Sequence, residues 1–230
     1  MGVYLSEILE AVYQLPSIDF YLVTNSSVGA FRLNARFHGL ENVKIKTLKG
    51  PLPIYEQILL PLYCYHIRAD RLISSGNTAT MFFISKKQIL LIHDVYYLKK
   101  KKDSDGTNTI KRALGEIYRK LTISIAAKKS LGIISVSQFA KNDLVAELQV
   151  PSEKVAVIHN GVSPGFSLDF GLLASKKKRI LMVTGSSPQK NVTATIKALT
   201  GNSTLRNQFE GIEIVGISSA GEIGLGDDTF

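Results

Sequence analysis

Short apolar runs alternate with helical patterns along most of the chain, and that alternation constrains the fold more than any other feature. Residues 18–24 (IDFYLVT), 71–74, 88–93 (QILLIH), 131–136 (LGIISV) and 155–158 read as strands. Residues 43–48 (VKIKTL) alternate apolar and polar side chains, as an edge strand does. Between them, residues 3–15 place Val3, Ile8, Leu9, Val12 and Leu15 at helical spacing. Residues 54–67 form a helix candidate in which Pro61 is a kink or break. Two further helices are expected over about 108–129 and over 138–148, the second with Ser137 as its N-cap. Strands separated by helices pair in parallel, because the crossover returns the chain to the same end of the sheet. The expected fold class is therefore α/β, a doubly wound parallel sheet covered on both faces.

The strands through residue 164 are enough for one such domain. Residues 165–178 read as a linker ending in the polar run Ser175-Lys176-Lys177-Lys178. A second unit then begins, over 179–230: a strand at 179–184, a Gly-Ser-Ser-Pro loop, a helix from about 191 to 199 and a strand at 212–217. The final stretch, GEIGLGDDTF, follows neither period, and no internal repeat is visible.

Composition narrows the class. With 230 residues, 45% hydrophobic and 20% charged, the chain is neither disordered nor fibrous. Its single cysteine, Cys64, excludes an intrachain disulfide and fits a reducing compartment. Flanked by Tyr63 and Tyr65, Cys64 reads as core rather than nucleophile. The first twenty residues carry Glu7, Glu10 and Asp19 without a basic start, so they read as a helix, not a signal peptide. A cytoplasmic protein is expected.

The net charge of +9 favours anionic partners. Ten basic and three acidic residues between 99 and 129 supply +7 of it. Such a run is a solvated surface or a docking site for an anionic membrane. Nucleic acid is disfavoured, because few aromatic residues interleave with the lysines.

In parallel sheets ligands bind beyond the carboxyl ends of the strands. His93-Asp94 follows QILLIH directly, where an imidazole serves either as acid, base or donor to substrate, or as a satisfied turn residue. His38, His66 and His159 have no metal-ligand spacing to it, so no metal is expected. The loop from Thr184 to Asn191 joins a strand to a helix. Gly185 permits close backbone approach there and Lys190 adds a positive charge, which suits a phosphate as well as it suits an ordinary connection. Asn160-Gly161 is a turn signal and Ser137 a cap.

The order of these pieces is more specific than any one of them. LLIHDVYYL, a basic helical stretch, IISVSQFAKNDL, VPSEKVAVIHNGVSPGF and ILMVTGSSPQKNV follow one another as they do in bacterial family 4 glycosyltransferases of the GT-B fold, and the chain resembles their mannosyltransferase-like branch from about Tyr4 to Ile217. That resemblance implies two Rossmann-like domains, the first on the acceptor side and the second holding a nucleotide-sugar. It implies transfer of a mannose-like hexose to a saccharide or lipid-linked saccharide with retention, no cofactor and no metal, in surface polysaccharide synthesis at the inner membrane face. By the same resemblance His93 is the catalytic histidine, Gly185 and Lys190 belong to the donor-diphosphate loop, Ser137 lines the donor side of the cleft, and Asp94, Asn160 and Gly161 border the cleft or hinge.

Three departures stand out. The family's opening strand and Gly-rich loop are absent ahead of the first helix. Ser186 and Ser187 stand where an Arg usually precedes the Lys. The family's Glu-x7-Glu pair is missing, since Glu213 and Glu222 are nine apart and in another context. A fragment or truncated gene is the expectation these departures raise, with a non-catalytic module that keeps the fold but lacks the donor site as the alternative function.

Overall fold

A computed structural model of the chain describes residues 2–15, 17–76, 78–81, 87–99, 110–161, 178–185 and 190–216. Two compact units divide it, Met1–Ser163 and Pro164–Phe230. Of the expected linker only Lys178 lies among the described residues, and the run 217–230 lies outside them.

In the first unit the aliphatic runs form parallel strands. β1 (Phe20–Thr24) pairs with β2 (Val43–Thr47), with Leu22 opposite Ile45. β3 (Leu72–Ser75), β4 (Gln88–Ile92), β5 (Gly132–Ser135) and β6 (Val155–Val157) form a second parallel sheet in that order. No ladder joins the two sheets among the described residues. Side chains link the strands of the first sheet to the helix that follows it: the Tyr55 hydroxyl donates to Val23 O over 3.3 Å, and the Tyr21 and Tyr63 rings meet edge to face at 6.5 Å.

Helices cover the strands. α1 (Gly2–Val12) and α2 (Ser27–Phe37) bury Leu9 and Phe37 against Val43, with Phe20, Leu22 and Leu33 packed around them. The sequence reading passes over α2, treating 25–27 as loop. Val28 and Phe31 are apolar yet point outward, which blurs the helical period, while Ser26 caps the helix by accepting from Gly29 N at 3.1 Å.

Residues 52–66 run as α3 (Leu52–Ile54), a π turn (Tyr55–Leu59) and α4 (Leu60–His66). Pro61 has no N–H, and it falls in the first turn of α4, where that donor is not needed. The ladder is adjusted one step earlier, where Leu60 N donates to Tyr55 O. The expected kink is thus a π turn ahead of the proline.

α5 (Ile110–Lys129) and α6 (Gln138–Leu148) pack on the second sheet. Its core joins Leu90 and Ile92 of β4 to Ile123, Ala126 and Ala127 of α5, Ile133, Leu144, Leu148 and Val155. Each fully buried aliphatic side chain contributes about 1.5–3 kcal/mol. Cys64 is buried as expected, and burial pushes its thiol pKa up.

Among the described residues the second unit, by itself, is one βαβ repeat. β7 (Arg179–Val183) pairs in parallel with β8 (Gly211–Val215), and α7 (Val192–Gly201) buries Val192 and Ile196 against Met182 and Ile214. A short α8 (Ser203–Arg206), unexpected from the sequence, leads towards β8.

Candidate functional site

The register of the second sheet places the candidate residues of the first unit. Ile92, Ser135 and Val157, the last residues of β4, β5 and β6, pair across the sheet in one row. The residues that follow therefore leave from a common carboxyl edge: His93 and Asp94 after β4, Ser137 after β5, and Asn160 and Gly161 after β6.

His93 is half-buried. Burial lowers its pKa below the ordinary histidine value, and the neighbouring Asp94 opposes that shift. The Asp94 carboxylate accepts from Tyr96 N at 3.1 Å, so it caps the short turn Tyr96–Leu98 that leads away from His93. A few residues on, Lys99 Nζ lies 2.7 Å from Asp143 Oδ2 of α6, which raises the lysine pKa. Lys99, itself exposed, is thereby an ion-pair partner of α6. Lys100, Lys101 and Lys102 lie outside the described residues.

Ser137 is the N-cap of α6, accepting from Ala140 N at 3.1 Å, and is half-buried. Ser135, fully buried, donates through Oγ to Ser137 O at 3.3 Å and accepts from Ile158 N at 2.8 Å through its carbonyl. These bonds hold the ends of β5 and β6 together. The sequence reading weighs His159 only as a metal ligand, whereas its Nδ1 lies 3.2 Å from Val136 O. Its place directly behind VAVI was the available signal. Asn160 and Gly161 are exposed and lie in no helix, strand or turn, and Gly161 does not adopt a positive φ. The turn expected there does not form.

In the second unit Gly185 and Lys190 flank the carboxyl end of β7 and the start of α7, with residues 186–189 outside the described set. Lys190 is exposed, and nothing lies within 4 Å of a Cβ placed on Gly185. Asn191 takes a left-handed φ of 51° just before α7. Gly216, which sequence reasoning missed, ends β8 with φ +103°, and a Cβ there would stand 1.9 Å from Thr184 O. The close approach of two strand ends requires glycine at that point. Among the described residues no three His, Cys, Asp or Glu side chains gather as a cation site.

Residues 66–166 match the family model described as Glycosyltransferase Family 4. The matched segment contains β3 to β6 and, with them, His93, Asp94, Ser137, Asn160 and Gly161; Gly185 and Lys190 lie beyond it. The chain is similar to the O-antigen chain mannosyltransferase RfbU of Salmonella typhimurium, with 26% identity over 145 residues, 59% of this chain and 37% of that protein. It is also similar to the crystal structure of a glycosyltransferase from Rickettsia africae, with TM-score 0.50 and 13% identity over 96% of this chain and 65% of that one. The second likeness concerns the fold, which agrees with the GT-B-type parallel α/β architecture. The chain spans little more than a third of RfbU and about two thirds of the Rickettsia structure.

Proposed function

We propose that this chain serves a glycosyltransferase that moves a mannose-like hexose from a nucleotide-sugar to a saccharide or lipid-linked saccharide, with retention and without a metal, in bacterial surface polysaccharide synthesis. The observation that carries the proposal is the placement of His93 at the shared carboxyl edge of β4, β5 and β6, inside the matched segment. The mannosyltransferase name of the RfbU relative supports the choice of sugar.

In this reading the sugar's C–O bond to the diphosphate breaks as the acceptor hydroxyl oxygen bonds to the same carbon, and the hydroxyl proton passes to the departing phosphate oxygen. Negative charge collects on the departing diphosphate. Lys190 and the backbone N–H groups ahead of α7 face that charge, as fixed donors do at phosphate sites. His93, kept neutral by burial, hydrogen-bonds a hydroxyl of the transferred sugar and orients it. Ser137 and Asn160 border the same edge. Activity is placed on the cytoplasmic side, where nucleotide-sugars are made.

Isothermal titration of the full chain with nucleoside diphosphates tests the donor half. Binding that weakens about 10-fold to 100-fold in Lys190→Ala, the scale of a charged hydrogen bond, supports the proposal. Binding unchanged by that substitution removes Lys190 from the phosphates. A second reading is a fold-retaining module without donor chemistry. It predicts no heat at millimolar ligand.

A further inference from the structure

Residues 78–81 follow β3 in neither helix nor strand. Ala79 and Thr80 are nevertheless only 3% and 1% exposed. A loop buried this deeply must find partners for its backbone away from any ladder. Gln57 supplies them from the π turn, 22 and 24 residues earlier in the chain. Its Nε2 donates to Ala79 O and its Oε1 accepts from Met81 N, each at 3.0 Å. The adjacent Glu56 accepts from the Thr78 hydroxyl. Two neighbouring side chains thus hold three positions of one short segment.

That is a costly way to anchor a loop. Glu56 is 8% exposed, and a buried carboxylate loses hydration that its hydrogen bonds must offset. Aliphatic packing would stabilise the segment as well, but it would not fix the direction of each carbonyl and amide. A hydrogen-bonded network does fix it, because its bonds are directional.

The place of the segment gives that precision a use. Ser75, the last residue of β3, pairs with Leu91, so the chain leaves β3 level with Ile92 and His93. Ala79 then joins the core cluster that also contains Ile92 and Val95, the residues on either side of His93-Asp94. Residues 78–81 are thereby built into the same core as the turn that carries His93. The imidazole is half-buried there.

We propose that Glu56 and Gln57 are positioning residues for His93. They hold residues 78–81 in one arrangement at the carboxyl edge, and that segment keeps the His93 turn buried and in place. Neither side chain is assigned to substrate. The task given to His93 rests on the glycosyl-transfer reading above; its placement by the network does not.

NMR titration of the His93 imidazole in the full chain tests this, with His93→Gln to assign the signal. Gln57→Ala cuts the ties to Ala79 and Met81, and Thr78→Val cuts the tie to Glu56. Each should raise the His93 pKa towards the ordinary histidine value, by at least about half a pH unit, because a loosened segment admits water. Neither substitution alters Asp94, the neighbouring charge. Leu9→Ala, in the core of the first sheet, lowers stability without touching the segment and should leave the titration unchanged. Circular dichroism checks that each variant is folded, and Thr78→Val, the milder change, carries the test if Gln57→Ala unfolds. An unshifted His93 in the folded variants, or an equal shift in Leu9→Ala, overturns the proposal. Nucleoside diphosphate titration of the same samples reports the donor reading separately. A His93 shift without nucleotide binding upholds the positioning and removes the donor reading.

Discussion

The Tyr118 hydroxyl of α5 donates to Glu56 Oε2 over 2.8 Å, and Gln57 Nε2 donates back to the same phenol oxygen over 3.0 Å. The Thr78 hydroxyl donates to the other Glu56 oxygen, and Gln57 also bonds Ala79 O and Met81 N, each at 3.0 Å. One half-buried network, centred on the buried Glu56, thus ties the π turn, residues 78–81 and α5 together. Tyr118→Phe removes one donor to a buried carboxylate and should lower stability by about 1.5–3 kcal/mol, read from urea unfolding. A loss under half of that would show that the network is slack.

Glu56 also predicts a pH dependence. Burial raises its carboxyl pKa, against the opposing hydrogen bonds from Thr78 and Tyr118. The folded chain then holds the proton at pH values where the unfolded chain has released it. The resulting stability is complete below the ordinary carboxylate range and is lost as pH rises through the raised value. Unfolding midpoints should fall over that window, and Glu56→Gln should flatten the fall. A parallel pH profile in the variant would place the titration elsewhere.

Two glycines at the ends of neighbouring strands should behave oppositely. Gly216→Ala forces a Cβ onto Thr184 O at a positive φ and should destabilise β7 and β8 by at least ~3 kcal/mol. Hydrogen exchange at the Thr184 amide, which bonds Val215 O at 2.9 Å, reports the loss directly. Gly185→Ala meets open space and should leave that exchange unchanged. Any effect of Gly185→Ala should be confined to nucleoside diphosphate affinity.

For His93 burial lowers the imidazole pKa below the ordinary histidine value. In an active full-length protein, the acid limb of the kcat profile should lie below the ordinary histidine range. His93→Gln, which keeps a hydrogen-bonding side chain, should abolish that limb and lower kcat more than donor affinity. The same limb in the variant would release His93 from the assigned role.

Much of the fold was legible because its strands are short aliphatic runs that pair in parallel. Ser137 was legible as a cap because a small oxygen-bearing side chain precedes a helical period. Helix α2 escaped notice because Val28 and Phe31 face outward, so its apolar period does not mark one buried side. The Glu56 network was illegible, since its members lie as far as 62 residues apart in sequence. His93 and Asp94 were legible by position, yet only geometry separates their tasks, one poised at the strand edge and the other capping a turn. Asn160-Gly161 misled, because a dipeptide that permits a turn does not impose one.

The π turn at Tyr55–Leu59 carries one more residue than an α-helical turn would hold. Removing a residue there would swing everything on one side of it by about 100° around the axis. Either Glu56 would leave its partners or Leu60 and Cys64 would leave the core. This stretch should therefore tolerate substitution at its outward positions and resist changes in length, so that gaps among related sequences fall elsewhere.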